Sequence, residues 1–291
     1  MKKVSIGTWA IPQHLPELSE GLNKLGFDGI SLGGFPPYGA HPDIYDTPEK
    51  IAELVEIFKK NNLEVADFAI DLWQYDSFQK TEEWRKEFTR FLEYAEKLGV
   101  TDLIRVDTCT PPILPDGMTY DDAKAFFVKN FKEMAKEAAG YGYHIVWEFE
   151  PGFIINEPKH IIELHDAVDE PNFSLLFDTC HAYNCAVGHR HIMEGCELEG
   201  GIMEFIEMAK DRIGLVHVID TDGTLNDTGT STHAPFGKGY INFDEVIPAL
   251  LDVANYKGDW WAIDLCEWPN AWEVTKDSKE FVDEFNKKFS K

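Results

Sequence analysis

The chain has 291 residues and carries 27 Lys and Arg against 52 Asp and Glu, a formal net charge of −25 at pH 7 with His neutral. Because nucleic acids and anionic membranes are bound by clustered Lys and Arg, this balance argues against both as partners. Apolar residues make up 44% of the chain and aromatic residues 13%, which excludes a disordered protein and predicts a large packed core.

Eight short runs of β-branched or apolar residues predict strands. In chain order they are Val4–Trp9, Gly29–Leu32, Glu64–Ile70, Leu103–Asp107, His144–Glu150, Ser174–Asp178, Gly214–Ile219 and Trp260–Leu265. Segments with apolar residues at helical spacing predict helices at Pro16–Leu25, Thr47–Asn61, Thr81–Leu98, Tyr120–Ala139, Pro158–Val168, Gly201–Ala209, Phe243–Val253 and Thr275–Phe289. Two of the predicted loops are long, at residues 33–48 and 221–239.

The alternation of strands and helices predicts an α/β fold with a parallel sheet. Eight units in 291 residues give about 36 residues each, close to the ~30 or more of a strand-helix-strand unit. Eight units favour a closed (β/α)₈ TIM barrel over an open doubly wound sheet, and the GxGxxG of a dinucleotide site does not follow the first strand. Since no Pro-, Gly- or Ser-rich linker interrupts the pattern, we expect a single barrel domain over residues 1–291.

The cysteines and the N-terminal sequence bear on the cellular compartment. The five cysteines are scattered and form no CxxC pair, which predicts reduced thiols rather than disulfides or a structural zinc site. Neither a signal peptide nor an apolar run long enough to cross a bilayer is visible. We therefore expect a cytoplasmic protein that does not associate with membranes.

Acidic side chains follow each of the last four predicted strands, at the end of the barrel where (β/α)₈ enzymes carry their sites. The strand ends carry Glu148 and Glu150 (fifth strand), Asp178 and His181 (sixth), His217 and Asp220 (seventh), and Asp264 and Glu267 (eighth). Each acid alone could cap a helix or form a salt bridge, but this does not explain why four adjacent strands end in charge. Crowded carboxylates repel one another, and a bound divalent cation removes that penalty. Three carboxylates and one imidazole suit Mn²⁺, Co²⁺ or Mg²⁺ better than Zn²⁺.

Other residues at the strand ends are candidates for contacts with a substrate. Arg105 is the only arginine there, and it either binds an anionic substrate group or pairs with Asp107 or Glu150. Glu150 either contacts the substrate or forms a loop salt bridge, and Trp9 either packs against the C–H face of a sugar or lies in the core. The sequence has no Gly-rich phosphate cradle, which favours an unphosphorylated sugar or a polyol-derived ketone.

Four segments carry a resemblance to a known family. They are Val146–Gly152 (apolar-apolar-Glu-x-x-Pro-Gly), Leu176–Ala182 (Asp-Thr-x-His), Val216–Asp220 (His-x-x-Asp) and Thr232–Gly239 (a Gly-x-Gly loop). Through them the chain resembles the xylose isomerase-like TIM barrel superfamily, the sugar phosphate isomerase/epimerase family, which also contains apurinic endonucleases. The similarity covers nearly the whole chain and is strongest over its second half.

The resemblance implies one divalent metal ion per chain, held by Glu148, Asp178, His217 and Asp264. Mn²⁺ is the first expectation, with Co²⁺, Mg²⁺ or Zn²⁺ as alternatives. The fourth position departs from the family pattern, because Asp264 stands where the family has Glu. Either the shorter Asp264 remains the ligand, which we prefer, or Glu267 takes the role.

The resemblance also implies the chemistry of a sugar isomerase or epimerase. The metal chelates the carbonyl oxygen and a neighbouring hydroxyl of a keto-sugar, a carboxylate removes the proton next to the carbonyl, and a cis-enediolate results. Glu148 and Asp264 are the two catalytic acid/base groups. His181 orients the substrate. Asp220 is counted with it as a candidate substrate contact, and is otherwise either a second partner of His217 or a cap of the loop. The Thr232–Gly239 loop adds His233 to the candidate substrate contacts.

Two other enzymes remain as alternatives. A metal-dependent lyase or dehydratase acting on a keto-sugar or keto-inositol begins with the same proton abstraction, and the shorter Asp264 leaves room for it. An apurinic endonuclease would need three zinc ions, with histidines at the third and fourth strand ends and an Asp-x-His in the seventh loop. Here residues 69–71 and 106–108 contain no histidine, and residues 231–233 lack the aspartate. We therefore expect a small carbohydrate substrate, no nucleic acid, and a homo-oligomer if Trp268 and Trp272 form a subunit contact rather than a pocket rim.

Overall fold

Strands and helices alternate along the chain, and the computed structural model describes residues 1–289. The strands are β1 (Lys3–Ile6), β2 (Gly29–Gly33), β3 (Glu64–Ala69), β4 (Leu103–Val106), β5 (His144–Glu148), β6 (Phe173–Asp178), β7 (Ile213–Val218), β8 (Asp220–Leu225), β9 (Ser231–Ala234) and β10 (Trp260–Ile263). The helices are α1 (Leu15–Lys24), α2 (Pro48–Lys60), α3 (Thr81–Leu98), α4 (Tyr120–Gly140), α5 (Pro158–Val168), α6 (Thr179–Ala186), α7 (Gly201–Met208), α8 (Phe243–Asp252) and α9 (Ala271–Phe289).

Eight of the strands pair in parallel in the order β1-β10-β7-β6-β5-β4-β3-β2. The two ends of this sheet approach each other through a parallel bridge between Gly7 and Ser31. Helices connect successive strands, which is the arrangement of a (β/α)₈ TIM barrel. The fold class predicted from the strand and helix pattern is confirmed.

The helix boundaries follow from local sequence signals. Thr47 caps α2 by accepting a hydrogen bond from the Lys50 amide, and Pro48 is the first residue of this helix. Thr119 forms a capping box with Asp122 at the start of α4. Gly99, with φ of 57°, ends α3 in the left-handed conformation that glycine adopts without strain. These residues explain why the starts of α2 and α4 and the end of α3 lie at or next to their predicted positions.

The interior of the barrel changes from apolar to charged toward the carboxyl ends of the strands. Alternate strand residues point inward, and a small apolar cluster of Ala66, Val146, Leu176, Leu215 and Trp260 lies on the inward-facing positions. Two residues further along their strands, Val146, Leu176 and Leu215 are followed by Glu148, Asp178 and His217. The apolar cluster therefore forms a base on which charged residues stand at the carboxyl ends of the strands.

The structure differs from the sequence prediction in three segments. Trp9 lies in a 3₁₀ helix, Thr8–Ala10, because β1 already ends at Ile6. Residues 179–186, which follow the sixth strand directly, form α6. The predicted loop 221–239 contains an antiparallel hairpin of β8 and β9. Within residues 1–289, we find no helix with the length and apolar character needed to span a bilayer.

Candidate metal and substrate site

Four buried side chains meet at the carboxyl ends of neighbouring strands: Glu148 on β5, Asp178 on β6, His217 on β7, and Asp264 just after β10. Each offers one donor atom, and these atoms all lie within 4.8 Å of one another. His217 Nδ1 is the centre of the group, at 3.2 Å from Glu148 Oε1, 3.3 Å from Asp264 Oδ2 and 3.8 Å from Asp178 Oδ2. The structure brings together the four residues that the family resemblance implied as metal ligands.

The electrostatics of the group reflect three carboxylates around one imidazole. Burial by itself lowers the pKa of His217, but the Asp264 and Glu148 carboxylates outweigh burial and raise this pKa to about 10. Burial raises the pKa of Asp264, but His217 and His233 outweigh it and the pKa of Asp264 is lowered. The imidazole thus partly neutralises an acidic cluster, and a divalent cation would do so more completely.

Several oxygen and nitrogen atoms of the group, which could bind a metal ion, have no hydrogen-bond partner among the described residues. They are Glu148 Oε1, Asp178 Oδ2 and both ring nitrogens of His217. The other oxygen of Asp178 accepts a hydrogen bond from the His181 amide at 2.9 Å, where it caps α6. Buried polar atoms normally have a hydrogen-bond partner. Oxygen and nitrogen atoms that lack one and converge from three strands therefore fit a site for a divalent metal ion.

The environment of Asp264 separates it from Glu267, the alternative fourth ligand. Asp264 Oδ1 accepts hydrogen bonds from Trp9 Nε1 at 3.0 Å and from the Cys266 amide at 2.8 Å, which leaves Oδ2 facing His217. Glu267 is exposed and accepts a hydrogen bond from Thr228 Oγ1 at 3.2 Å. The donor group described above includes Asp264 and not Glu267.

Arg105 has a partner that the sequence analysis did not name. We expected a pair with Asp107 or Glu150, but the Arg105 guanidinium forms a salt bridge with Glu148. Both side chains point into the barrel from neighbouring strands, whereas Asp107 lies beyond the end of β4 and accepts a hydrogen bond from the Cys109 amide at 2.9 Å. The expected partners are therefore wrong, and Arg105 belongs to the acidic cluster itself.

His181, His233 and Glu150 form a second polar group beside the first. His181 Nδ1 lies 2.9 Å from Ser231 Oγ, and its Nε2 lies 3.4 Å from Glu150 Oε2. His233 Nε2 lies 3.8 Å from Asp178 Oδ2. Burial raises the pKa of Glu150 to about 8 and lowers that of His181 to about 4. Asp178, His181 and His233 also form a group whose donor atoms lie within 4.8 Å of one another.

Asp220 has a structural environment rather than a place in the site. Its Oδ2 accepts hydrogen bonds from the amides of Gly237 and Gly239 at 3.0 and 2.9 Å, and its Oδ1 accepts one from the Ile241 amide at 3.1 Å. Both oxygens are thus occupied by the loop after β9, and the residue does not line the cavity described below. These hydrogen bonds fit the role of Asp220 as a cap of the loop.

A cavity of about 750 Å³ reaches the group at Asp264, the one of the four donor residues that lines it. Its polar lining includes Arg105, Glu150, His181, Thr230, His233 and Asp264. Its aromatic lining consists of Trp9, Phe35, Trp73, Trp268 and Trp272. Five of the six residues expected to contact a substrate therefore face this cavity, since Trp9, Arg105, Glu150, His181 and His233 all belong to its lining.

Sequence reasoning missed three residues of this region. Phe35 and Trp73 lie in the loops after β2 and β3, and thus after strands that carry no metal ligand. Asp67 is a fully buried acid on β3, next to Ser31 in the strand register, and burial raises its pKa. The available signal for Asp67 was a single acid within the otherwise apolar residues 65–69.

The chain is similar over nearly its whole length to a known family and to solved structures. The family model described as "xylose isomerase-like TIM barrel" matches residues 20–285. Among solved structures, the IolI protein with a bound zinc atom is 20% identical, with a TM-score of 0.75, over 99% of this chain and 100% of that one. D-psicose 3-epimerase from Clostridium cellulolyticum H10, solved with D-tagatose, is 18% identical, with a TM-score of 0.73, over 98% of each chain.

A curated relative with a different name matches a part of the chain. A probable endonuclease 4 from Mesomycoplasma hyopneumoniae strain 7448 is 27% identical over 97 residues, which is 32% of this chain and 32% of the relative. The match thus spans about a third of the relative's length, whereas the family model spans most of this chain. The chain therefore belongs to the xylose isomerase-like TIM barrel family.

Proposed function

We propose that the protein is a divalent-metal-dependent isomerase or epimerase that acts on a neutral keto-sugar or related polyol ketone. The observation that carries this proposal is the convergence of Glu148, Asp178, His217 and Asp264, with unpaired donor atoms, beside a cavity large enough for a sugar. Mn²⁺ is the metal we propose, since three carboxylates and one imidazole suit it.

The bound ion would polarise a substrate carbonyl and make the proton on the neighbouring carbon easier to remove. Two carboxylates of the protein would then remove and return the proton. Glu148 and Asp264 project from non-adjacent strands, with β6 and β7 between β5 and β10 in the sheet order. Two carboxylates so placed suit a reaction in which one removes the proton and the other returns a proton from the opposite face, which inverts the carbon.

The surrounding residues suit the positioning of sugar hydroxyls. His181 and Glu150 lie 3.4 Å apart and line the cavity together with Thr230. Trp9 holds Asp264 by its indole N–H and offers a ring face to the cavity. These groups would bind hydroxyls on one side of the substrate and C–H bonds on the other.

The charges around the cavity favour a neutral substrate. Among the described residues that line it, Arg105 is the only Lys or Arg, and its guanidinium already pairs with Glu148. Phosphate recognition would need a free cationic group or a cradle of backbone amides. The endonuclease reading is also less favoured, because a net charge of −25 opposes binding to DNA.

The test is product analysis with the Mn²⁺-loaded protein and a panel of unphosphorylated keto-sugars in deuterated water. The proposal predicts a new epimer or isomer and deuterium at the carbon next to the carbonyl. Cleavage of DNA at an abasic site without any change in the keto-sugars would contradict it.

A metal-dependent lyase is the second candidate. It shares the proton abstraction, but the C–O bond at the next carbon breaks and the leaving oxygen takes a proton from an acid, which yields an unsaturated ketone and an alcohol or water. The pair of Glu150 and His181 beside the cavity favours this candidate, because it places a proton donor beyond the metal ligands. Ultraviolet absorption of a conjugated ketone among the products would identify the lyase.

A further inference from the structure

The cavity has two walls of different chemistry, contributed by two arcs of the barrel rim. The aromatic wall follows β1, β2, β3 and β10, which include the two ends of the sheet order and so lie side by side in the closed barrel. The polar wall lies along the part of the rim from β4 to β9 and includes Arg105, Glu150, His181 and His233. A ligand in this cavity therefore meets hydrogen-bonding groups on one side and aromatic faces on the other.

The aromatic wall extends from the metal-ligand group to solvent. Trp9 is bonded to Asp264 and makes an edge contact with Phe35, with ring centroids 6.4 Å apart. Phe35 in turn contacts the edge of Trp73 at 6.5 Å. Trp73 packs against Phe153 at 5.4 Å and is 49% exposed. These contacts make a continuous aromatic surface that leads outward from the site.

The opposite end of the wall is formed by Trp268 and Trp272, which follow β10. A Cβ at Gly21 would lie 2.6 Å from the Trp272 ring, so glycine at this position of α1 allows the ring to lie against the helix. Glu267 and Glu273 also line the cavity. The outer part of the cavity is thus aromatic and negatively charged.

We propose that the substrate is a neutral glycoside rather than a free monosaccharide, an inference that rests on the proposed function. The keto-sugar ring would lie between the polar wall and Asp264, and the group attached to it would lie on Phe35, Trp73 and Trp268. A single sugar ring bound next to Asp264 meets Trp9, but it leaves Phe35, the exposed Trp73 and the partly buried Trp268 without a role. The volume of about 750 Å³ lies in the upper part of the range found for pockets that hold drug-sized ligands.

The attached group has one general chemistry, a flat face of C–H bonds or an aromatic ring. Both a second sugar and an aryl group present such a face, and both gain from stacking on tryptophan. An anionic group would be repelled by Glu267 and Glu273. The proposal therefore covers neutral disaccharides and neutral aryl glycosides and excludes sugar phosphates and nucleotide sugars.

The test is a titration of tryptophan fluorescence with the Mn²⁺-loaded full chain and four unreactive ligands: glucose, methyl glucoside, phenyl glucoside and cellobiose. We expect phenyl glucoside or cellobiose to bind at least tenfold more tightly than glucose. Whichever of the two binds more tightly identifies the attached group as aryl or sugar. Equal dissociation constants for glucose and both larger ligands would overturn the proposal.

Two variants locate the effect. Trp73→Ala and Trp268→Ala are each expected to bring the ratio of the glucose and glycoside dissociation constants close to one. Tyr240→Ala is the matched control, because Tyr240 is an exposed aromatic residue, 68% accessible, that does not line the cavity. A ratio that survives in both tryptophan variants would contradict the proposed wall.

The outcome is separable from that of the proposed function. Turnover of free keto-sugars without any preference for glycosides removes the inference and leaves the isomerase or epimerase proposal standing. Tighter binding of glycosides without any turnover of keto-sugars or their glycosides removes the proposed function and leaves the glycoside site standing.

Discussion

The guanidinium of Arg105 pairs with the carboxylate of Glu148 inside the barrel, and its carbon lies 4.8 Å from the centre of the Trp9 ring. Trp9 donates its indole N–H to Asp264. Burial by itself would lower the pKa of Arg105, but Glu148 and Asp264 outweigh it and raise this pKa, so the guanidinium stays charged. One cation thus links the two carboxylates that we propose act on the substrate.

The first prediction concerns removal of this cation. Arg105→Met leaves the buried Glu148 without its guanidinium partner and with only His217 to compensate its charge, so the free energy of unfolding of metal-free protein should fall by up to about 3–5 kcal/mol. The loss should be smaller in Mn²⁺-loaded protein, because the ion also neutralises Glu148. Denaturant unfolding with and without Mn²⁺ measures both values.

Two variants serve as controls for Arg105. Arg90→Met removes a partly exposed arginine that pairs with Glu87 and Asp43, and its cost should stay below about 1 kcal/mol. The double variant Arg105→Met/Glu148→Gln should recover part of the loss, since the unpaired charge is gone. A double variant as unstable as the sum of the two single variants would contradict the pairing.

The second prediction concerns the acid/base role of Glu148. Glu148→Gln keeps the size of the side chain but cannot accept the proton, so kcat/KM should fall by about 10²–10⁴-fold while the circular dichroism spectrum stays unchanged. Glu64→Gln is the control, because Glu64 is exposed at the opposite end of a strand. Wild-type turnover by the Glu148 variant would remove this residue from the mechanism.

The third prediction tests Asp220 as a structural residue. Asp220→Ala removes the acceptor for the amides of Gly237, Gly239 and Ile241, so the free energy of unfolding should fall by about 2–3 kcal/mol. The comparison is Asp222→Ala, since among the described residues the partly exposed Asp222 accepts hydrogen bonds only from Thr224. Mn²⁺ stoichiometry should be the same in both variants, and a lost ion in Asp220→Ala alone would assign this residue to the site.

The fourth prediction is a pH dependence of stability that arises away from the metal ligands. Burial by itself raises the pKa of Glu157, but the neighbouring His160 imidazole, with Nδ1 at 3.7 Å, and hydrogen bonds from Tyr120 and the Met193 amide outweigh it and lower this pKa from 4.5 to about 2. A carboxyl with a lowered pKa stabilises the folded state above its unfolded pKa, and that contribution disappears as the pH falls from about 4.5 to about 2.

Glu157→Gln should therefore lower the free energy of unfolding at pH 7 by about 3 kcal/mol, and the difference from wild type should shrink through this acid window. Thermal unfolding between pH 2 and pH 7 measures the difference. Glu56→Gln, an exposed substitution on α2, provides the control. A difference that stays constant with pH would contradict the account.

The sequence was sufficient to predict the barrel and the four donor residues because both depend on short-range patterns. Apolar runs mark the strands, and the family motifs lie where those strands end, as at Glu148 and Asp178. A helix after Asp178 was not among the predicted elements, although Asp178 caps this helix, α6, by accepting a hydrogen bond from the His181 amide. The alternation of inward-facing residues then brings Glu148, Asp178 and His217 to the same end of the barrel.

Other features depend on contacts between distant segments and could not be predicted in the same way. The partner of Arg105 is decided by which side chains point inward from two neighbouring strands. The hairpin of β8 and β9 lies in a polar segment with Gly223 and Gly229, which has the composition of a loop. Phe35 and Trp73 line the cavity only because the closed barrel brings the loops after β2 and β3 beside β10.

The most direct test of the metal site is the stoichiometry of Mn²⁺ after dialysis and reloading, measured by elemental analysis and calorimetry. The proteins compared are wild type, Asp178→Asn, His217→Gln and the control Asp222→Asn, a partly exposed acid outside the donor group. The account predicts one tightly bound ion per chain in wild type and control, and no such ion in the other two variants, each with the circular dichroism spectrum of wild type. A wild-type protein that binds no divalent ion, or an ion retained in both site variants, would contradict it.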